Sequence, residues 1–259
     1  PSVGTQITVD TSISNPANLV VAGNNKINAA KASTVGAVAV SGTGDAGAEL
    51  TLVWTNAAQV EVLRKTVAAV PSNGTWSWVL SASELASLPQ GSLTLKVQQT
   101  DVAGNTSAWV QTSVLVDTVV PNTPSLAESA FADTYNSSAE RAWSNGVSWS
   151  DIFSDTNQDG TAEAHPVSVA VALSGDIVVG DIVKLNWGGQ TITQTVVSDD
   201  LARGYVLVSV DAASIVTAGV RSNLALTATF TDAAGNEGAE FIAYSGMNVT
   251  LDLRAPVLE

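Results

Sequence analysis

The stretch Thr100-Asp101-Val102-Ala103-Gly104-Asn105 occurs a second time as Thr231-Asp232-Ala233-Ala234-Gly235-Asn236. Each copy follows a run with the composition of a β-strand, residues 93–97 before the first copy and residues 224–230 before the second. The copies lie roughly 130 residues apart, which is the length of one ordinary domain. The repeat therefore predicts two domains of one kind in series.

An aspartate flanked by valine, leucine or threonine marks the ends of these domains. It occurs in Val9-Asp10-Thr11, Val116-Asp117-Thr118 and Leu251-Asp252-Leu253. Pro121 and Pro124 follow the middle copy, and proline cannot continue a strand ladder. We therefore expect a short, semi-rigid linker between a first domain at residues 1–118 and a second at residues 119–259.

The strand pattern predicts an all-β fold. Short alternating or β-branched runs are separated by Gly, Asn, Asp and Ser throughout the 259 residues. We expect strands at 37–40, 50–54, 60–63, 75–80, 93–99, 109–116, 167–173, 182–187, 191–197, 205–210, 224–230 and 241–251, and helical turns at 28–33, 83–88 and 212–218. Six or seven short strands in each half are typical of an antiparallel β-sandwich. Trp54, Trp76 and Trp187 are expected in its core.

Composition excludes several partners. The chain has ten Lys and Arg residues and a net charge of -14, which argues against binding to a phosphate backbone and to anionic lipid. It has no apolar run of transmembrane length. The absence of cysteine fits a cytosolic or an exported bacterial protein better than a disulfide-stapled scaffold. Because the pattern is cut at both ends, we expect a fragment of a longer protein.

Residues 125–164 match nothing in the first half and are expected to form an extra N-terminal segment of the second domain. They contain Trp143 and Trp149, which are candidates for a glycan-binding surface. They also contain Asp155-Thr156-Asn157-Gln158-Asp159-Gly160, which has oxygen side chains at alternate positions and glycine sixth, as at the start of an EF-hand loop. Pro166 stands where that loop has its bidentate glutamate, so Glu163 is the substitute. An Asx-rich surface turn is the alternative.

The repeated aspartates are the second candidate set for metal: Asp10, Asp101, Asp117, Asp232 and Asp252. An aspartate in the Thr-Asp-x-Ala-Gly-Asn loop equally suits a turn that it caps, with glycine supplying a positive φ. The repetition favours a metal site in which a loop aspartate and a linker aspartate meet at the end of a domain.

Several motifs together resemble the bacterial Ig-like repeats of giant RTX-type adhesins, which Gram-negative bacteria secrete by the type I route. They are the two repeats above with Asn25-Lys26-Ile27-Asn28-Ala29-Ala30, Ser41-Gly42-Thr43-Gly44 and Asn73-Gly74-Thr75-Trp76. The resemblance implies two tandem Ig-like antiparallel β-sandwiches within an extracellular filament on the bacterial surface. It also implies that Ca²⁺ stiffens the filament through the five repeated aspartates.

No catalytic residue is nominated. His165 is the only histidine, and without cysteine a Cys-His dyad is excluded. We therefore expect a non-enzymatic protein. The resemblance implies a monomeric extender (spacer) that contacts neighbouring repeats of its own chain, as in cell adhesion and biofilm formation. The alternatives are a module whose second domain binds a glycan or a host or cell-surface protein through Trp143 and Trp149, and a hydrolase that uses two of the carboxylates.

Overall fold

The computed structural model describes residues 9–132, 146–148, 153–154, 163–164, 166–218, 221–224, 226–242 and 249–252. The chain divides after Val119 into two compact units, called unit 1 and unit 2 below. In each unit, mainly antiparallel sheets enclose an apolar core. The predicted all-β sandwich fold is therefore confirmed.

The described part of unit 1 is a two-sheet sandwich with two short helices. Its elements are β1 (Ala17–Val21), β2 (Lys26–Ile27), α1 (Ala29–Ser33), β3 (Ala39–Thr43), β4 (Glu49–Thr55), β5 (Glu61–Val67), β6 (Thr75–Val79), α2 (Ala82–Ala86), β7 (Gly91–Thr100) and β8 (Val110–Val116). One sheet has the order β1-β3-β6 and the other β2-β8-β7-β4-β5. Only β2 and β8 pair in parallel among these strands.

Two tryptophans fill the core of unit 1 as predicted. Trp54 is 0% exposed and Trp76 is 5% exposed. Trp76 packs directly on Gly42, where an added Cβ would lie 2.7 Å from its Cζ2 atom and 2.9 Å from the carbonyl oxygen of Ala17. The Ser-Gly-Thr-Gly motif of β3 thus provides room for the aromatic ring of β6.

Unit 2 has a larger set of described elements. They are β9 (Ser125–Ala132), β10 (Gly146–Ser148), β11 (Phe153–Ser154), β12 (Glu163–Ala164), β13 (Val167–Ala172), β14 (Ile182–Trp187), β15 (Gln190–Thr195), α3 (Ser198–Arg203), β16 (Tyr205–Val210), α4 (Ala212–Ala218), β17 (Arg221–Leu224), β18 (Leu226–Thr231), β19 (Phe241–Ile242) and β20 (Val249–Asp252). The sheet orders are β16-β13-β9, β15-β14-β18-β19, β10-β20-β17 and β11-β12.

Unit 2 repeats several strand pairings of unit 1. Strand β9 borders β13 as β1 borders β3, and β10 pairs in parallel with β20 as β2 pairs with β8. The segment 125–164, expected to match nothing in the first half, therefore contains the counterparts of β1 and β2. The β11–β12 pair is the part of it that has no counterpart among the described residues of unit 1.

Two glycine-containing turns connect strands in different ways. Gly188 and Gly189, with φ angles of 58° and 96°, join β14 to β15 in a hairpin. Asn73-Gly74 is a dipeptide typical of hairpin turns, but β6 after it pairs with β3 and not with the preceding β5. The turn therefore passes the chain from one sheet to the other.

Candidate metal centre

The first copy of the repeated loop is closed by its own aspartate. The Oδ1 atom of Asp101 accepts a hydrogen bond from the backbone N–H of Asn105 at 2.8 Å, and Oδ2 accepts one from the Asn105 side-chain amide at 2.8 Å. The backbone N–H of Asp101 donates to the Asn105 carbonyl at 3.1 Å. Gly104 has a φ of +92°, a conformation that glycine adopts without strain.

The second copy has the same geometry. The Oδ1 atom of Asp232 accepts from the backbone N–H groups of Ala234 at 2.8 Å and Asn236 at 2.9 Å, and its Oδ2 accepts from the Asn236 side-chain amide at 2.7 Å. Gly235 has a φ of +86°. The turn alone therefore accounts for the Asp, Gly and Asn of both copies, which is the turn-capping alternative to metal binding.

The same hydrogen bonds keep Asp101 ionised. Donation by the Asn105 side-chain amide is the largest cause that lowers the pKa of Asp101, with help from the backbone N–H groups of Asn105, Ala103 and Gly104 and against the opposing effect of desolvation. A carboxylate has about four lone-pair positions. The four N–H donors match these positions in number, so a cation at Asp101 would compete with them.

The segment that enters unit 1 is attached to this loop. The Asn105 amide that donates to Asp101 also donates to the backbone carbonyl of Asp10 at 3.1 Å. The carboxylate of Asp10 accepts from the backbone N–H of Ser12 at 3.2 Å, and Asp10 is exposed. One amide group therefore brings oxygens of the linker aspartate and the loop aspartate together.

Asp117 lies at the other end of unit 1. Gly91, at the start of β7, pairs with Val116, whereas Thr100, at its end, pairs with Glu49. The ten residues of β7 span roughly 30 Å, so Asp101 and Asp117 cannot share one ion. Within unit 1, Asp101 therefore lies near Asp10, which precedes the first strand. It does not lie near Asp117, which follows the last strand.

The donors at this site have the chemistry that calcium requires. Calcium binds about six to eight hard oxygens, and Asp10 and Asp101 supply carboxylate oxygens and a backbone carbonyl. The set is partial: no group of three or more His, Cys, Asp or Glu residues that could hold a metal occurs among the described residues. An ion bound here would need its remaining ligands from water and from other backbone carbonyls.

The other predicted ligands are placed only in part. Glu163 lies in β12 opposite Ser154, and Asp252 ends β20 opposite Ser148. The EF-hand-like residues Asp155, Asn157 and Asp159 lie outside the described residues, and so do Trp143 and Trp149. Their roles therefore stay predictions.

Gln99 anchors the entering segment, and the sequence analysis did not single it out. Its side chain is 0% exposed. Its Oε1 accepts from the backbone N–H of Asp45 at 3.0 Å, and its Nε2 donates to the carbonyl of Ser14 at 2.6 Å. The Asp45 carboxylate accepts in turn from the backbone N–H of Ser14 at 2.8 Å. One feature of the sequence does point to this role. Gln99 is a polar residue at the next inward-facing position of β7 after Leu93, Leu95 and Val97.

Replacing Gln99 with leucine is expected to destabilise unit 1 by about 1–3 kcal/mol, because it leaves the Asp45 N–H and the Ser14 carbonyl without their buried partner. Denaturant unfolding measures the loss. Gln111→Leu, on the exposed face of the adjacent β8, is the control and is expected to change stability by less than about 0.5 kcal/mol. Equal stability of the two variants would show that the Gln99 contacts do not hold the segment.

A scan against protein-family models finds no match, and a search of curated proteins finds none either. None of the described helices is long and apolar enough to cross a membrane.

Similar solved structures come from bacterial ice-binding adhesins. One is a Ca²⁺-stabilized adhesin that helps an Antarctic bacterium reach out and bind ice, with 26% identity, a TM-score of 0.38, and coverage of 94% of this chain and 51% of that chain. Another is from a 1.5-MDa bacterial ice-binding adhesin, with 23% identity, a TM-score of 0.33, and coverage of 95% and 67%.

A third similar structure is an immunoglobulin-like domain of the M. primoryensis ice-binding adhesin. It has 29% identity, a TM-score of 0.25, and coverage of 36% of this chain and 85% of that domain. This chain thus spans about half the length of the first of the three similar chains.

Proposed function

We propose that the two units are calcium-stiffened extender domains of a bacterial cell-surface adhesin, which hold a distal binding module away from the cell. Three features support this proposal. The chain repeats one sandwich in series, the aspartate motif recurs at the ends of the repeats, and the sequence motifs resemble those of RTX-type adhesin repeats.

The attachment of the entering segment to the repeated loop carries the proposal. Because the Asn105 amide bonds both the Asp101 carboxylate and the Asp10 carbonyl, the direction of the incoming chain depends on the geometry of the loop. A spacer needs this coupling, since a freely jointed linker would let neighbouring repeats fold back on each other.

Calcium strengthens that coupling by neutralising the charge of the carboxylates. Asp10 and Asp101 are both acidic, and the whole chain carries a net charge of -14. Carboxylates that are brought together without a cation repel each other. A cation that binds only the folded, aligned state stabilises it by about 2.7 kcal/mol when its free concentration is a hundredfold above Kd.

The remaining parts of the proposal follow from this role. The partners of the units are neighbouring repeats of the same chain, the location is extracellular, and the role is mechanical and not catalytic. Asp117, Asp232 and Asp252 are the corresponding ligands at the other repeat ends.

A calcium titration by isothermal calorimetry on the whole chain tests this function. The double variant Asp10→Asn/Asp101→Asn is expected to bind one calcium ion fewer than the wild type, because both acidic ligands of one site are neutralised at nearly constant shape. The control Asp199→Asn/Glu240→Gln removes the same charge at exposed positions of unit 2 and is expected to keep the wild-type stoichiometry. A wild type that takes up no calcium, or a double variant that binds as many ions, contradicts the proposal.

A further inference from the structure

The outer face of the five-stranded sheet of unit 1 contains a cavity of about 320 Å³. We call it the Trp109 cavity. It is lined by Val53, Thr55, Arg64, Lys96, Trp109 and Gln111. None of these residues belongs to the candidate calcium site.

The register of the sheet places four of these residues in one row. Val53 pairs with Arg64 on one side and with Lys96 on the other, and Lys96 pairs with Gln111. Residues that pair directly across a sheet lie on the same face. The row crosses four strands and spans roughly 14 Å, which is enough for more than one sugar ring.

Trp109 gives the cavity an aromatic surface. It stands next to β8 and is 45% exposed. Thr55 also lines the cavity but is 5% exposed. Its hydroxyl oxygen is covered from solvent, so Trp109 offers the accessible stacking surface.

The cavity also concentrates positive charge on an acidic protein. Arg64 and Lys96 are two of only ten basic residues in a chain of net charge -14. Arg64 is paired with Glu61 at 2.6 Å, whereas the Nζ atom of Lys96 donates to the neutral side chain of Gln59 at 3.0 Å. Among the described residues no carboxylate forms an ion pair with Lys96. Lys96 is therefore a cation without a compensating anion beside an exposed indole.

We infer that the Trp109 cavity binds a hexuronate residue of an acidic polysaccharide. The C–H face of the pyranose ring stacks on Trp109, the carboxylate pairs with Lys96, and a hydroxyl bonds to Gln111. The polar lining favours a sugar over an apolar peptide segment. Strands β4 and β7 lie inside the sheet and offer no free edge for a peptide strand.

Nuclear magnetic resonance on the whole chain tests this binding. The probe is trigalacturonate, and the neutral trisaccharide of α-1,4-linked galactose is its matched comparison. The titration contains 0.15 M salt, which screens distant acidic residues beyond about 8 Å, and EDTA, which prevents calcium from bridging uronate to protein. The indole N–H signal of Trp109, assigned with the variant Trp109→Phe, reports on the site.

Trigalacturonate is expected to shift the Trp109 signal and to bind about tenfold more tightly than the neutral sugar, which corresponds to one charge-assisted contact. Trp109→Ala is expected to weaken binding by about tenfold or more, since stacking area is lost. Lys96→Gln is expected to remove the preference for the uronate. The control Lys184→Gln, which removes a lysine in unit 2 that is paired with Glu237, is expected to leave both affinities unchanged. Equal binding of the two sugars, an unmoved Trp109 signal, or an equal loss in Lys184→Gln overturns the inference.

Discussion

Asp101→Ala is expected to remove the calcium-dependent rise in the Tm of unit 1. The wild type should gain on the order of 10 °C when free calcium exceeds Kd a hundredfold. The variant loses the carboxylate that we propose as a ligand of the ion. It also loses the acceptor of the Asn105 N–H and amide, so the loop no longer presents Asn105 to the Asp10 carbonyl. Calorimetric melts with and without calcium measure the effect.

Two variants separate the loss of metal from the loss of the turn. Asp101→Asn keeps the size of the side chain and an acceptor for the Asn105 N–H, so it should fold near wild type without calcium and gain little from calcium. Asp211→Ala removes an aspartate that accepts from the backbone N–H of Ser214 at 2.6 Å and lies outside the candidate site. It should keep the full calcium effect on unit 1. A full calcium effect in Asp101→Ala would exclude Asp101 as a ligand.

Trp187→Ala is expected to lower the stability of unit 2 by about 3–5 kcal/mol, the usual cost of removing a buried tryptophan. Trp187 is 0% exposed in a core that includes Val169, Leu185 and Phe230. Differential scanning calorimetry should show the transition of unit 2 at a lower temperature and that of unit 1 unchanged, because each unit has its own core.

Trp54→Ala is the reciprocal control for this prediction. Trp54 occupies in β4 the position that Trp187 has in β14, since both strands lie between two antiparallel neighbours of the same sheet. It should lower the transition of unit 1 alone. If either variant lowered both transitions equally, the two units would unfold as one body, and the additive description of a chain of spacers would be wrong.

The strands and core residues that follow from the local alternation of apolar and polar residues were predictable from the sequence. Trp54, Trp76 and Trp187 are buried as expected, and the strands expected at 182–187 and 191–197 form β14 and β15. These features depend on alternation and turn chemistry within a few residues.

The sequence did not predict features that depend on distant neighbours. Strands β9 and β10 are defined by their pairing with β13 and β20, and their own residues do not reproduce the sequence of β1 and β2. Gln99 became an anchor because β7 brings it beside Ser14 and Asp45. Only the strand register shows which linker aspartate lies near Asp101, since it places Asp117 at the far end of β7.

Small-angle X-ray scattering of the whole chain, in calcium and then after chelation, tests the central proposal most directly. If calcium holds neighbouring repeats in line, the maximum dimension should be largest and best defined in calcium, and it should shrink with a broader distance distribution in EDTA. The Asp10→Asn/Asp101→Asn variant should respond less than the wild type. An identical maximum dimension in calcium and in EDTA, with no change in Tm, would contradict the calcium-stiffened extender.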